Sequence, residues 1–174
     1  WIIIALIVCT GIINAYNFMD GINGITGGYS LIILGALAYI NAEMVTFVES
    51  ALIYTVLCSV VVFCFFNFRR KAKCFAGDVG SVSIAFILLF LIGKLILKTE
   101  DFSWIILLAV YGVDSVLTII HRLMLHENIG LPHRKHMYQL MANELKIPHV
   151  VVSLAYMVVQ AIVIIGYIYC QSWG

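Results

Sequence analysis

Six apolar runs, at about 1–16, 25–40, 51–66, 79–97, 103–120 and 149–171, divide the chain, with short polar stretches between them. Each run, extended where needed by flanking polar turns, reaches the roughly 20 residues that a helix needs to cross a hydrocarbon core of about 30 Å. Backbone in lipid must satisfy its own hydrogen bonds, and runs this long exceed barrel strands, so the pattern predicts helices. Gly27, Gly28, Gly35 and Gly93 fall inside the runs, where small residues let helices approach closely. The expected fold is therefore all-α: a polytopic transmembrane helical bundle of about six helices, forming one domain over residues 1–174.

Composition removes the soluble alternative. Hydrophobic residues make up 63% of the chain and charged residues 11%, whereas a soluble domain carries about 25% charged residues. Net charge is +1, which gives no reason to expect a nucleic-acid partner. The distribution of charge says more. With six crossings, segments 14–24, 67–78 and 121–148 share one side. They hold Arg69, Arg70, Lys71, Lys73, Arg122, Arg134, Lys135 and Lys146. Segments 41–50 and 98–102 lie opposite with Glu43, Glu49, Glu100 and Asp101, and Lys94 and Lys98 flank them. Basic loops stay in the cytoplasm, so the first side is expected to be cytoplasmic. Cys9, Cys58, Cys64, Cys74 and Cys170 form no CxxC pair and mostly lie in apolar runs, where a free thiol acts as a small hydrophobe. The chain opens on Trp1 and runs directly into apolar residues with no basic leader, so it reads as the C-terminal portion of a longer protein rather than as a signal peptide.

Polar chemistry gathers in the three basic-side segments. The first reads Asn14-Ala-Tyr-Asn17-Phe-Met-Asp20-Gly-Ile-Asn23-Gly: a carboxylate and three amides end an apolar helix, next to glycines that allow backbone to approach a ligand. A polar turn in which Asp20 or Asn23 caps the next helix is the competing reading. The second runs from Asn67 through four cations to Phe75-Ala-Gly77-Asp78-Val-Gly80-Ser81. Asp78, between glycines at a helix start, suits a hard divalent cation, and the adjacent backbone N–H groups suit phosphate. Here the alternatives are a helix cap and a basic cluster that sets topology and touches anionic lipid.

The third segment, with its flanks, contains every histidine: His121, His126, His133, His136 and His149. Residues 131–141 suggest a short helix started by Pro132, with His133 and His136 on one face. A zinc site lacks a third ligand at the usual spacing. Phosphate binding by His133, Arg134 and Lys135 with His136 is the better reading, against an amphipathic interfacial helix. Asp114 stands inside the fifth run, eight residues before Arg122; an ionisable group at that depth is a functional candidate, and a structural pair with Arg122 or another rim cation is the alternative.

Taken in order, these segments resemble the polyprenyl-phosphate N-acetylhexosamine-1-phosphate transferases. Asn17-Phe-Met-Asp20-Gly-Ile-Asn23-Gly is similar to that family's N-x-x-D-G-x-[ND]-G signature, Phe75 to Ser81 to its F-x-G-D-x-G-S signature, and Asp114 to Arg122 to the stretch before its histidine loop. The resemblance implies a bacterial inner-membrane enzyme with its active site facing the cytoplasm. It would transfer a HexNAc-1-phosphate group from a UDP-N-acetylhexosamine to undecaprenyl phosphate and release UMP, with Mg²⁺ as cofactor and Mn²⁺ as a substitute. Carried onto this chain, it implies Asp78 as metal ligand, Asp20, Asp78 and His136 as catalytic residues, and Asn17, Asn23, Asn67, His133 and Arg134 as substrate contacts. Membrane lipid is a partner, a homodimer is an open expectation, and direct attack and a covalent aspartyl route both stay open.

Two departures stand out. Of the family's three clustered histidines only His136 is matched, with Tyr138 and Gln139 at neighbouring positions, and the family's paired aspartates are absent, since no Asp-Asp occurs here. The expectation is that these 174 residues alone are inactive. The rival classes are a small transporter, whose polar site would lie at the midplane rather than at helix ends, and a non-catalytic membrane scaffold.

Overall fold

A computed structural model describes residues 2–128 and 134–171. Every predicted run is a helix. The elements are α1 (Ile2–Phe18), α2 (Ile25–Tyr39), α3 (Ser50–Asn67), α4 (Gly77–Thr99), α5 (Ala109–Met124), α6 (Met137–Asn143) and α7 (His149–Gln171). A π turn, Ile40–Met44, prolongs α2, and a 3₁₀ segment, Phe102–Leu108, leads into α5. Five of these stretches are long and apolar enough to cross a membrane: Ile25–Met44, Ser50–Asn67, Gly77–Thr99, Phe102–Met124 and His149–Gln171. The apolar α1, with 17 residues, is shorter.

α2 is the axis of the bundle and packs against α3, α4 and α7, while α1 lies on α4 and α5. Its residues Ile25, Tyr29, Ile33, Leu34 and Leu37 are fully buried. The outer helices are inverted relative to those of a soluble protein. α5 shows this most clearly: Tyr111, Asp114, Ser115, Thr118 and Arg122 face inward at helical spacing, while Val113, Val116, Leu117, Ile119 and Ile120 are exposed. An apolar exterior of this kind belongs against lipid, where the outside offers polar groups no partner.

The two ends of the bundle differ. At one end lie the loops 45–49 and 100–101. There Asn41, buried in the π turn, accepts from the Phe47 and Val48 amides at 3.0 and 3.1 Å and donates to Ser50 at 3.0 Å. Asp101 caps the 3₁₀ segment, accepting from the Ser103 amide at 2.8 Å, Gln171 Nε2 at 2.9 Å and the Tyr167 hydroxyl at 3.1 Å. Those donors, Ser103 foremost, hold its carboxyl down from 3.8 to about 2. The other end carries the basic loops and α6.

Two sequence expectations change here. The short helix of the third segment begins at Met137, not at Pro132; His136 is its cap, with extended backbone (φ −63°, ψ 147°), and forms a capping box with Gln139. His136 is thus outside the helix because its backbone turns to enter it. Pro132 and His133 lie outside the described residues. Neither Asp20 nor Asn23 caps α2, and Asp78 does not cap α4: the caps are Gly24 and Ala76, without side-chain cap bonds.

Candidate active site

At the basic end the starts of α2 and α4 converge on Asp20. Thr26, in the first turn of α2, donates its hydroxyl to Asp20 Oδ1 at 2.7 Å, and the Gly77 amide, opening α4, faces the same carboxyl. Asp78 follows Gly77 in that first turn and is exposed. Burial pushes the Asp20 carboxyl above the ordinary carboxylate range; Thr26 and Gly77 oppose this, and the nearby charge of Asp78 adds to it. Two helix N-termini, with free amides and positive dipole ends, thus meet beside two carboxylates, an arrangement suited to phosphate and a hard cation together.

Asparagine side chains hold the two loops in place. Asn67, buried at the end of α3, accepts the Gly24 amide at 2.7 Å and donates to the Cys74 carbonyl at 2.8 Å. Asn23 donates to the carbonyls of Arg69 and Arg70 at 2.9 and 3.2 Å. Its own carbonyl accepts from Ser153 of α7 at 2.8 Å. Close packing requires glycine here: Gly24 has φ +88°, and a Cβ on it would meet the Phe68 ring at 2.4 Å. The loop so fixed presents Arg70, Lys71 and Lys73 to solvent, with Arg69 folded over the Phe65 ring at 4.5 Å. Asn17, half-buried at the end of α1, makes no side-chain hydrogen bond among the described residues, and Arg134 is exposed.

His136 belongs to a second cluster. Its Nδ1 lies 3.4 Å from Asp114 Oδ1 and 3.3 Å from the Thr118 hydroxyl. Asp114 also accepts from the Met137 amide at 3.0 Å and from the Tyr156 hydroxyl at 2.6 Å. Arg122 instead donates to Glu127 at 3.3 Å and the Asn128 carbonyl at 2.6 Å; Glu127 also takes Lys135, and that hydrogen bond leads the causes that lower its carboxyl pKa. Asp114 and Arg122 therefore take different partners. A cavity of about 190 Å³ between α1 and α5 reaches this cluster, with Asn14, Ser115, Arg122 and His136 in its wall. Tyr138 links the two clusters: its hydroxyl donates to the Phe18 carbonyl at 2.8 Å and lies where a Gly21 Cβ would stand, 2.2 Å away.

Sequence reasoning missed Thr26, Tyr156 and Ser153. Thr26 follows a recognisable motif by two residues but looks like any helix-starting threonine, and Tyr156 and Ser153 sit in an apolar run that gives no hint of their partners. No group of three metal-ligating side chains occurs among the described residues, but a magnesium ion typically takes one or two carboxylates and fills its shell with water and substrate phosphate. Asp78, exposed beside Asp20, fits that requirement.

Residues 1–96 match the family described as glycosyl transferase family 4. Over 133 residues the chain is 32% identical to the probable undecaprenyl-phosphate N-acetylglucosaminyl 1-phosphate transferase of Bacillus subtilis, covering 74% of this chain and 37% of that protein. It is 35% identical over 74 residues to the phospho-N-acetylmuramoyl-pentapeptide-transferase of Lactobacillus acidophilus, covering 42% of this chain and 23% of that one. With the corresponding protein of Symbiobacterium thermophilum it shares 33% over 119 residues, covering 68% and 34%. The chain spans less than two fifths of the length of these curated relatives.

Proposed function

The chain belongs to glycosyl transferase family 4, and on that premise we propose that it forms part of a membrane enzyme that moves a HexNAc-1-phosphate group from a UDP-sugar to undecaprenyl phosphate with release of UMP. The observation that carries this reading is the meeting of the α2 and α4 N-termini at Asp20 and Asp78. Backbone amides and positive helix ends there would bind the diphosphate. Arg70, Lys71 and Lys73, exposed on the adjoining loop, would draw the nucleotide to that end. The apolar exterior allows a lipid phosphate to arrive from the membrane side. On the positive-inside rule the basic end would face the cytoplasm, and on this reading the protein is a multi-pass component of a bacterial inner membrane.

Asp78 would hold Mg²⁺, with Mn²⁺ as a substitute; the ion would neutralise the diphosphate and stabilise charge in the transition state. Asp20, raised by burial and by Asp78, is well placed to exchange a proton with a phosphate oxygen. Asn23 and Asn67 act by fixing the loops that carry these groups. Asn17, with its amide uncommitted among the described residues, and Arg134 remain direct contacts for substrate.

The test is Mg²⁺-dependent release of UMP from UDP-HexNAc and undecaprenyl phosphate, in membranes expressing the longest reading frame that contains this chain. The 174 residues alone are run beside it and are expected to be inactive. Asp20→Asn and Asp78→Asn should each abolish release while leaving the protein folded. No release with any common UDP-HexNAc from a folded protein would instead favour a scaffold.

A further inference from the structure

Thr26 is almost completely buried in the first turn of α2 and donates to Asp20 Oδ1 at 2.7 Å. A second layer holds its backbone: Ser30 donates to the Thr26 carbonyl at 2.6 Å, and the Tyr16 hydroxyl, on the α1 turn just before Asp20, lies 2.6 Å from Ser30 Oγ. The buried Tyr111 hydroxyl faces Thr26 from α5. Thr26 also lines a recess of about 330 Å³ with Gly27, Phe63, Phe75 and Ala76. Asp20 accepts no other side-chain hydrogen bond among the described residues, and the Gly77 amide faces its carboxyl from the start of α4.

We propose that Thr26 is a positioning residue for Asp20: by pinning Oδ1 from inside the bundle, it turns Oδ2 towards the ligand beside Asp78. This rests on the transferase reading for its consequence in catalysis, but the link between Thr26 and Asp20 is a property of the chain itself. The hydroxyl is what the task needs, and Ser30 on the Thr26 carbonyl, with Tyr16 behind it, fixes the turn that carries it. Without the hydroxyl, the Asp20 side chain could rotate and its carboxylate would lose orientation in a site where small displacements are costly.

The experiment uses the longest reading frame in membranes, with Thr26→Val and Thr26→Ser. Two quantities are read: kcat and KM for UDP-HexNAc, and labelling of Asp20 by a hydrophobic carbodiimide, followed by mass spectrometry of its peptide. Thr26→Val is isosteric and should retain the thermal midpoint to within a few degrees. It should lower kcat on the order of 10²-fold, leave KM within about twofold, and raise Asp20 labelling severalfold. Thr26→Ser should restore kcat and labelling towards the parent. Asp20 labelling unchanged in Thr26→Val overturns the proposal whatever kcat does, and so does Thr26→Ser behaving like Thr26→Val. If the parent protein releases no UMP, the transferase reading fails, while the labelling pattern still decides whether Thr26 pins Asp20.

Discussion

Asp114 and His136 are paired in the interior, Oδ1 to Nδ1 at 3.4 Å, with both residues buried. The pair ties α5 to the cap of α6, and the Tyr156 hydroxyl on the other carboxylate oxygen, at 2.6 Å, brings in α7. Asp114 is thus the point where three separate elements meet.

Asp114→Ala should therefore unfold the basic end rather than act locally. It strands the Met137 amide and the Tyr156 hydroxyl, each at a cost of about 1–3 kcal/mol when buried. Thermal unfolding in detergent should show a large loss of midpoint in Asp114→Ala and a partial loss in Asp114→Asn, which keeps one acceptor. An unchanged midpoint in Asp114→Ala would contradict this role.

Asn67 is a second buried side chain that joins separate segments. Asn67→Leu leaves the Gly24 amide and Cys74 carbonyl unpaired, again about 1–3 kcal/mol for each buried group. If Asn67 acts only through the loops, substrate affinity and midpoint should fall together, and conditions that restore the fold should restore affinity. Nucleotide binding lost at full stability would instead show a direct contact.

Gly24→Ala should be severe for two independent reasons. The left-handed backbone at φ +88° costs a residue with a side chain roughly 1–2 kcal/mol, and the new Cβ would strike the Phe68 ring at 2.4 Å. Adding Phe68→Ala should recover the second part and not the first. Midpoints of the two single variants and the double variant separate the contributions.

Asp101 predicts a pH dependence at the opposite end. Its folded pKa, about 2, lies below the ordinary 3.8, so ionised Asp101 adds stability that is fully present above the unfolded value and fades as pH falls from about 4 to about 2. The midpoint gap between the parent and Asp101→Asn should be constant from pH 7 to 5 and close below pH 4. A gap that persists at pH 2 would mean that Asp101 acts through something other than its charge.

Much of this architecture is legible in the sequence because hydrocarbon allows so few solutions: an apolar run of sufficient length must be a helix, and the loops then alternate between ends. Asp20 and Asp78 could be singled out because carboxylates beside glycines at the ends of apolar runs are expensive to keep. Partnerships were harder. Asp114 and Arg122 share a helix and opposite charge, yet Asp114 turns to His136, Met137 and Tyr156 and Arg122 to Glu127 and Asn128. His136 reads as helical by spacing, but capping α6 requires it to stay extended. Thr26, Ser153 and Tyr156 are ordinary membrane-helix residues until the opposing element is known.

The inward-facing polar stripe of α5 also constrains how the chain is made. A helix carrying Asp114 at depth is a poor candidate for lipid by itself, since such a charge costs roughly 2.5–3.5 kcal/mol at the centre of an inserted helix. Its carboxylate gains its main partners only when His136, Met137 and Tyr156 arrive. During synthesis the Asp114 carboxylate therefore stays without these partners until residue 156 has been made. α7, through Tyr156, is thus what completes the surroundings of the Asp114 carboxylate.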